Sequence, residues 1–442
     1  MAAVEKQPVT ITGAGPLNGV VGGLLTWVDA RFPLVSSWKE HLAEYYAPKN
    51  FNFWYYFGSL AMVVLALQIV TGIFLTMHYK PDASLAFASV EFIMRDVWGG
   101  WIIRYMHSTG ASAFFICVYL HMFRGLLYGS YRKPRELIWI FGMLIYLCLM
   151  AEAFFGYLLP WGQMSYWGAQ VIVNLFGAVP FIGEDLSLWI RGDYVISDAT
   201  LNRFFAFHVI AVPLVLLGLV AAHILALHEV GSNNPDGVEI KLKKDASGRP
   251  LDGIPFHPYY TVKDTLGVVV FFIVFSIIMF FLPEMGGYFL EYNNFIAADP
   301  LKTPPHIAPL WYFTPFYSIL RAAPPMFNSV LPGVVAMGVS TLIFFLLPWL
   351  DRSPVKSIRY KGPIFKAALA IFVIVFFFLG YLGTESTTVW GQFGFDAFFL
   401  DTKDRATWAA RICTVVYFLF FILMPWYSKI DKCKPEPERV TW

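Results

Sequence analysis

The stretch WIIRYMHSTGASAFFICVYLHMFRGLL, residues 101–127, decides the fold of this chain. It is apolar for long enough to cross a bilayer as a helix, which takes about 20 residues. Within the apolar run lie His107 and His121, 14 residues apart. In a helix that spacing corresponds to about 21 Å and nearly four turns. The two imidazoles are therefore predicted to share one helix face, with one of them near each membrane surface.

A second apolar stretch, FFAFHVIAVPLVLLGLVAAHILAL at residues 204–227, carries His208 and His223. Two helices separated by two membrane crossings run in the same direction, so each of these histidines is predicted to lie level with one from the first stretch. The separation here is 15 residues rather than 14. Pro213 lies between the two histidines and can kink or rewind the helix, so the extra residue does not argue against the pairing.

The predicted pairs are His107 with His208 and His121 with His223, at two depths in the membrane. A single intramembrane histidine could simply bond a neighbouring helix, but two pairs at two depths fit two bis-histidine haems better. A catalytic metal needs an open coordination position, and paired imidazoles across a porphyrin leave none. The sequence has no CxxC motif for covalent haem attachment or zinc binding. We therefore predict two non-covalent haems b.

Glycines repeat the same spacing on the neighbouring apolar segments. Gly58 and Gly72 lie 14 residues apart, as do Gly142 and Gly156. Glycine lets a flat or bulky group approach the helix backbone, which favours helix faces turned toward haem. The alternative interpretation is helix–helix packing through small residues.

Two arginines accompany the histidines of the first stretch. Arg104 precedes His107 by three residues and Arg124 follows His121 by three, so each arginine shares the face of its histidine. A cation near each membrane surface suits a haem propionate. The alternative is an anchoring arginine whose long side chain reaches the interface.

The composition requires a membrane environment. Of 442 residues, 57% are hydrophobic and only 14% are charged, whereas soluble domains carry about 25% charged residues. The net charge of +2 gives no indication of a nucleic-acid partner. We predict an all-α, polytopic transmembrane fold of eight helices with an N-terminal four-helix di-haem bundle. The predicted spans are residues 52–77, 101–127, 137–159, 204–227, 264–283, 328–350, 364–383 and 407–427.

The connections between spans indicate how the chain is oriented and divided. The long connections are predicted to hold interfacial helices at Gln163–Leu175 and Pro309–Leu320, and no strand pattern is present. Lys and Arg concentrate in both termini and in the loops on their side, so both termini are predicted to be cytoplasmic. The predicted regions are an N-terminal cytoplasmic or interfacial segment, the haem bundle, a cytoplasmic loop and a C-terminal four-helix region, at residues 1–50, 51–230, 231–262 and 263–442.

Several motifs together resemble one known family. They are TGIFLTMHY (71–79), the RxxH of residues 104–107, GYLLPWGQMSYWGA (156–169), RFFAFH (203–208), HEVGSNNPDG (228–237), FHPYYTVKD (256–264) and PPHIAPLWYFTPFYSILR (304–321). Over nearly its whole length the chain resembles cytochrome b of the cytochrome bc1 complex (ubiquinol–cytochrome c oxidoreductase), bacterial type. This resemblance implies bifurcated quinol oxidation at an outer site and electron transfer across the membrane through two haems. It also implies quinone reduction at an inner site and coupled proton translocation.

The resemblance also implies roles for individual residues. His107 and His208 correspond to the ligands of the outer, low-potential haem, and His121 and His223 to those of the inner haem. The residues implicated in the quinol-oxidising pocket are Phe154, Gly168, Pro309 and Tyr312. Those implicated in the quinone-reducing pocket are His228, Lys263 and Asp264. An imidazole and a carboxylate at the inner interface are suited to deliver protons to reduced quinone, although each could instead be a solvated interfacial group.

The sequence departs from the family pattern at two places. The 15-residue histidine separation resembles that of the chloroplast-type relatives. The Pro-Glu-Trp-Tyr motif is replaced by Pro309-Leu310-Trp311-Tyr312, and Leu310 cannot accept a quinol proton. Glu284, in the PEMGG sequence after the fifth span, is the predicted replacement. The alternative is that Glu284 is an interfacial capping or solvated glutamate.

The resemblance implies partners as well, namely a Rieske iron–sulfur protein and cytochrome c1 in a membrane complex, dimeric, in the bacterial inner membrane. The scattered cysteines cannot hold an iron–sulfur cluster, so the cluster must belong to another polypeptide. One rival is the di-haem anchor of a membrane dehydrogenase, against which residues 156–169 and 304–321 argue. Another rival is a secondary transporter with histidine proton relays, which predicts no haem. Ubiquinone is the implied substrate at both quinone sites.

Overall fold

The apolar segments of the sequence form helices long enough to cross a membrane. The computed structural model describes residues 16–38, 45–326, 329–384 and 402–441. Within these ranges seven helices are continuous spans, and an eighth is a pair of helices bent by 58°. The prediction of an all-α polytopic transmembrane fold is thus confirmed. In chain order the spans are Phe53–Thr76, Gly100–Tyr128, Glu136–Leu158, Asp198–Val230, Phe256–Phe281, Leu331–Leu350, Pro363–Thr384 and the bent pair Ala406–Ile422 with Met424–Ile430.

The fourth, fifth and eighth spans differ from their predicted form. The fourth begins at Asp198, where the Oγ1 atom of Thr200 accepts the N–H of Ser197 at 3.1 Å and closes the first turn. The fifth begins at Phe256 and is kinked at His257, whose backbone is not helical, so the regular helix continues from Pro258. The polar residues before Asp264 belong to this helix, and hydrophobicity alone does not detect them. The eighth bends next to Pro425, which has no N–H to continue the helical hydrogen bonding.

The connections contain more regular structure than was predicted. The interfacial helix Gln163–Phe176 agrees with prediction, whereas Thr314–Ala322 begins five residues later than predicted, after a turn at residues 311–313. Residues 46–48 and 253–255 pair as antiparallel strands, against the expectation that the chain contains none. The helices that were not predicted are Pro16–Asp29, Leu34–Trp38, Ala86–Arg95 and Gly183–Arg191, together with the short 3-10 turns Ile240–Leu242, Met285–Gly287 and Tyr292–Phe295.

The first four spans form a bundle in which the first packs on the second and the third on the fourth. The C-terminal spans pack beside this bundle, and the two halves meet where Phe115 stacks on Tyr312 with ring centroids 3.9 Å apart. Large apolar side chains such as Ile374 and Phe377 remain 67% and 72% exposed on the outside of the spans. Such surfaces are suited to contact with lipid.

Both ends of the described chain lie on one face of the molecule, which we call the terminal face. The buried carboxylate of Asp252 joins them, because it binds Lys49 at 3.1 Å and Arg439 at 2.7 Å. Strand Tyr46–Pro48 and residues 431–441 lie on this face. An even number of crossings brings residues 46–48 and 431–441 to the same face in this way.

The opposite end of the bundle, which we call the loop face, is formed by residues 160–197 and 282–313. The two loops are joined to each other, because the N–H of Gln163 donates to the carbonyl of Ile296 at 2.9 Å. The side-chain oxygen of Asn294 accepts the N–H of Ser165 at 2.9 Å. These hydrogen bonds fix the second half of the chain against the end of the third span.

Candidate haem and quinone sites

The four intramembrane histidines meet in two pairs between the second and fourth spans. The ring centroids of His107 and His208 are 6.1 Å apart, and those of His121 and His223 are 6.4 Å apart. A metal–imidazole bond is about 2.0 Å long, so two imidazoles on opposite sides of one metal ion have ring centroids about 6.3 Å apart. Both spacings therefore fit an iron held by two axial histidines. Across the described ranges, no cluster of three or more His, Cys, Asp or Glu could hold a metal ion.

A π-helical turn at Phe207–Ala211 accommodates the extra residue between His208 and His223. The N–H of Val212 donates to the carbonyl of Phe207, five residues earlier, instead of four. One such turn takes up one more residue than an α-helical turn. Fifteen residues on the fourth span therefore match fourteen on the second. The π turn, next to Pro213, is the local rewinding that aligns the pairs.

Each of the four spaced glycines lies against the imidazole of one histidine. A Cβ atom on Gly156 would lie 2.4 Å from Cε1 of His208, closer than any real Cβ contact. The other three positions are also close but less crowded. A Cβ atom would lie 3.1 Å from His121 at Gly58, 3.4 Å from His107 at Gly72 and 3.4 Å from His223 at Gly142. The first and third spans thus approach the histidines because they lack side chains at these points.

The Nδ1 atoms of the histidines have different partners. Nδ1 of His107 lies 2.9 Å from Oγ1 of Thr71, which itself donates to the carbonyl of Leu67 and so accepts from the imidazole. Nδ1 of His223 lies 2.9 Å from the carbonyl of Ile138. Donation from Nδ1 leaves Nε2 free to bind a metal ion. Nδ1 of His121 is buried and has no hydrogen-bond partner among the described residues.

His208 differs from the other three because a carboxylate lies beside it. Its Nδ1 atom is 3.0 Å from Oε1 of Glu152 and 3.0 Å from the backbone carbonyl of the same residue. Sequence reasoning did not identify Glu152. The available signal was an acidic residue inside the apolar third span, where a carboxylate is costly and therefore indicates a function.

The two predicted propionate-binding arginines lie near opposite ends of the second span. Arg104 lines a cavity of about 250 Å³ at the loop face. The guanidinium of Arg124 lies 4.9 Å from the ring centroid of Tyr55, near the terminal face. The Nε atom of Arg124 is buried with no hydrogen-bond partner in the part of the chain that the structure describes. An acceptor such as a propionate would satisfy this donor.

The residues predicted for the quinol pocket lie at the loop face in two apolar clusters. Tyr312 is buried against Phe115, and its carbonyl accepts the hydroxyl of Tyr119 at 2.5 Å. Phe154 packs on Phe204 with ring centroids 5.3 Å apart. Beside the second cluster, a Cβ atom on Gly168 would lie 3.6 Å from Tyr157. Pro309 is half-buried, and Leu310 packs against the cluster that contains Tyr312.

Two glutamates lie in the loop after the fifth span. Glu284 is half-buried, and its carbonyl accepts the N–H of Phe289 at 3.1 Å, which folds the loop back on itself. The fold brings Glu291 to the cavity that also contains Arg104 and Tyr105. Oε2 of Glu291 is buried without a hydrogen-bond partner among the described residues. Burial raises the pKa of Glu291 to about 8. The sequence did not single out Glu291, since the direction of a loop side chain depends on the tertiary fold.

The residues predicted for the quinone-reducing pocket lie toward the terminal face. Asp264 accepts the hydroxyl of Ser59 at 2.7 Å. The ring of His228 lies 4.8 Å from that of Tyr45, whose carbonyl accepts the N–H of Phe256 at the start of the fifth span. The Nζ atom of Lys263, one residue before Asp264, lies 5.2 Å from the ring centroid of Tyr260. Tyr45 thus connects the end of the fourth span with the start of the fifth.

The fold and the paired histidines define a polytopic membrane protein whose helical bundle contains two bis-histidine sites. The family model described as cytochrome b/b6/petB matches residues 42–231, and that of cytochrome b (C-terminal)/b6/petD matches residues 297–418. The chain therefore belongs to the cytochrome b family, as the sequence motifs predict. Membership of this family implies haem b binding, and the spacing of the histidines fits that cofactor.

Individual relatives agree with this assignment. Cytochrome b of Allochromatium vinosum is 65% identical over 94% of this chain and 98% of its own length. Cytochrome b of Rhodospirillum rubrum is 46% identical over 94% of this chain and 96% of its own length. A solved structure titled hyperthermophilic respiratory Complex III aligns with a TM-score of 0.81 at 39% identity, covering 92% of this chain and 99% of that one.

Proposed function

We propose that the chain is the di-haem cytochrome b subunit of a ubiquinol–cytochrome c oxidoreductase. The observation that carries this proposal is the presence of two histidine pairs, at ring-centroid separations of 6.1 Å and 6.4 Å, at two depths of one bundle. Two non-covalent haems b, when bound there, supply one-electron transfer between the two membrane faces. The glycines that lie against the imidazoles support the proposal, because they keep the space beside the histidines free of side chains.

In this proposal each site has its own ligands and its own arginine. His107 and His208 hold the haem near the loop face, and Arg104 binds its propionate. His121 and His223 hold the haem near the terminal face. Arg124 serves that second haem, since its buried Nε atom lacks a partner among the described residues. Gly58, Gly72, Gly142 and Gly156 complete the two sites.

Quinol oxidation is proposed at the loop face, in a pocket built from Phe154, Gly168, Pro309 and Tyr312. The two apolar clusters that contain Tyr312 and pack against Phe154 support this proposal, because buried apolar side chains would keep water away from a bound quinol. Each quinol must lose protons as it is oxidised, and Leu310 cannot receive them. A base near the pocket must accept the protons for oxidation to proceed at neutral pH.

Glu284 and Glu291 are proposed to carry these protons in sequence. Glu291 lies in the cavity with Arg104 and Tyr105. Glu284 lies at the end of the fifth span, and its carbonyl is bonded to the backbone just before Glu291. We propose that Glu291 receives the proton and that Glu284 passes it to the water on that side.

Quinone reduction is proposed at the terminal face with His228, Lys263 and Asp264. The imidazole and the carboxylate deliver protons to the reduced quinone, and Lys263 favours a negatively charged oxygen there. The hydrogen bond from Ser59 orients the carboxylate of Asp264. This site and the quinol site lie at opposite ends of the bundle, as proton translocation requires.

The remaining assignments follow from this function. The terminal face is proposed to be cytoplasmic in a bacterial inner membrane, because Lys and Arg concentrate there. The proposed partners are a Rieske iron–sulfur protein and cytochrome c1 in a dimeric complex, since both supply redox centres that this chain lacks residues to bind. The proposed regions are the segment 1–50, the haem bundle 51–230, the loop 231–262 and the C-terminal region 263–442, which completes the quinol pocket.

The haem content of the purified chain tests the proposal directly. We expect two protohaems per polypeptide, extractable with acidified acetone because they are not covalently attached, and two reduced b-type absorption bands. A transporter that uses the histidines as proton relays would contain no haem. Quinol-dependent reduction of both haems in isolated membranes separates the proposed function from a dehydrogenase anchor, which requires its own soluble dehydrogenase for electrons.

A further inference from the structure

One side chain within the third span has no role in the function described so far. Glu152 lies inside Glu136–Leu158, in a segment that crosses the membrane. Its Oε1 atom is 3.0 Å from Nδ1 of His208, and its Oε2 atom is buried without a hydrogen-bond partner among the described residues. A carboxylate at such a depth is costly and is rarely retained without a function.

The other three histidines provide the comparison. Nδ1 of His107 faces a hydroxyl and Nδ1 of His223 faces a backbone carbonyl, whereas Nδ1 of His121 has no partner among the described residues. The hydroxyl beside His107 and the carbonyl beside His223 are neutral hydrogen-bond acceptors. Within the part of the chain that the structure describes, His208 alone of the four has a carboxylate at hydrogen-bonding distance. The carboxylate partner therefore distinguishes His208 from His107 in the same pair and from both histidines of the other pair.

We propose that Glu152 is a positioning residue whose carboxylate accepts the Nδ1–H of His208 and lowers the midpoint potential of the haem held by His107 and His208. A carboxylate on the outer nitrogen fixes the tautomer and makes the imidazole a more basic ligand. A more electron-donating ligand and a nearby negative charge both favour ferric over ferrous iron. The proposed effect acts through one hydrogen bond, and it requires no covalent bond of the chain to form or break. This inference rests on the proposed function, because it requires haem at that pair.

Redox titration of the α-bands in membranes tests the inference. In Glu152→Gln, an amide replaces the carboxylate at nearly the same volume. The ferrous-to-ferric ratio of this haem should rise at least about tenfold at fixed ambient potential, equivalent to about 59 mV for one electron. The haem held by His121 and His223 serves as an internal control and should not change. Glu152→Asp, which keeps the charge, should stay closer to the parent.

The controls separate the possible outcomes. Glu184→Gln makes the same substitution on an exposed residue of the short helix Gly183–Arg191 and should leave both potentials unchanged. An unmodified chain without two b-type signals would overturn the proposed function itself. An unmodified chain with both signals, but with equal potentials in parent and Glu152→Gln, would overturn this inference alone.

A measurement on the unmodified protein covers the case in which Glu152→Gln does not retain haem. The near-infrared charge-transfer band of a ferric bis-histidine haem moves to shorter wavelength as an axial imidazole becomes more anionic. Magnetic circular dichroism should therefore show the band of the His107–His208 haem at shorter wavelength than that of the other haem. Coincident bands would show that the carboxylate does not act on the ligand.

Discussion

Gly156 lies against the imidazole of His208, so that a Cβ atom at this glycine would come within 2.4 Å of Cε1 and 2.8 Å of Nδ1. Gly142, on the same span, lies against His223 of the other histidine pair, yet a Cβ atom there would lie 3.4 Å from Cε1 of His223. The first distance cannot be accommodated without moving the ring, whereas the second is at the edge of ordinary contact. The two positions therefore form a natural matched pair.

We expect Gly156→Ala to disturb the haem held by His107 and His208 and Gly142→Ala to leave its own haem nearly intact. The added methyl group must displace His208, which changes its ligand geometry and its hydrogen bond to Glu152. The α-band spectrum and the haem-to-protein ratio of the two variants measure this difference. An equal loss in both variants, or a loss only in Gly142→Ala, would contradict the geometry of the glycines.

Replacement of a single ligand tests how the histidines are paired. His121→Leu or His223→Leu should remove one and the same b-type signal, because both residues belong to one pair. His107→Leu or His208→Leu should remove the other signal. Low-temperature difference spectra of reduced membranes distinguish the two bands. The pairing would be wrong if His121→Leu removed the signal that is lost in His107→Leu.

The quinone site at the terminal face gives a kinetic prediction. Asp264→Asn and His228→Leu should each slow reoxidation of the His121–His223 haem by quinone by about tenfold or more, since a positioned proton donor typically contributes 10²–10⁴ in rate. Quinol-driven haem reduction should remain normal. Glu438→Gln, an exposed carboxylate on the same face, is the control and should behave as the parent. Normal reoxidation in both variants would leave these residues as surface groups.

Much of the fold followed from apolar length and histidine spacing, because these patterns are local. The ends of most continuous spans agree with prediction closely, since a change from apolar to polar residues marks them. The start of the fifth span at Phe256 was not predicted, because the residues before Asp264 include polar side chains and a kink at His257, so a search for apolar length does not include them. The strand pair of residues 46–48 and 253–255 joins segments about 200 residues apart, which no local pattern indicates.

For the sites, the sequence identified the residues whose spacing repeats and missed those whose position depends on the fold. The two glycine pairs and His107–His121 share a separation of 14 residues, and His208–His223 differs from it by one residue, so helix geometry related nearly all of them. Glu152 and Glu291 have no such period. Glu152 is a candidate because it lies at hydrogen-bonding distance from His208 on another helix. Glu291 is a candidate because its loop folds back to the cavity that contains Arg104. The sequence marks Glu152 only as an acidic residue in an apolar span, and three-dimensional contacts are needed to show what each glutamate faces.

The last prediction concerns proton release at the loop face. Burial raises the pKa of Glu291 to about 8, well above the ordinary range of a carboxyl group. The side chain is therefore protonated below that pH and ionised above it, and only the ionised form accepts a proton. Quinol oxidation in the parent should accordingly become faster as the pH rises through about 8. The charged and titratable groups around the same cavity are Glu91, Arg95, Arg104 and Tyr105.

Glu291→Gln and Glu284→Gln should each slow quinol oxidation at least about tenfold at neutral pH or above, while haem content stays normal. They should differ in pH dependence. Glu291→Gln should lose the rise near pH 8, because the titrating group is gone, whereas Glu284→Gln should keep the rise at a lower rate. Pre-steady-state haem reduction by quinol from pH 6 to 9 measures both effects.

Leu310→Glu provides the complementary test, because it restores a carboxylate beside Trp311 and Tyr312. Combined with Glu291→Gln, it should recover part of the lost rate, with a pH dependence set by the new carboxyl group. Glu91→Gln removes an exposed ion pair with Arg95 at the cavity edge and controls for a general change in charge. If Glu291→Gln oxidises quinol like the parent at every pH, the proton leaves by a route that does not involve this carboxylate. If only Glu284→Gln is slow, the proton passes to Glu284 without Glu291.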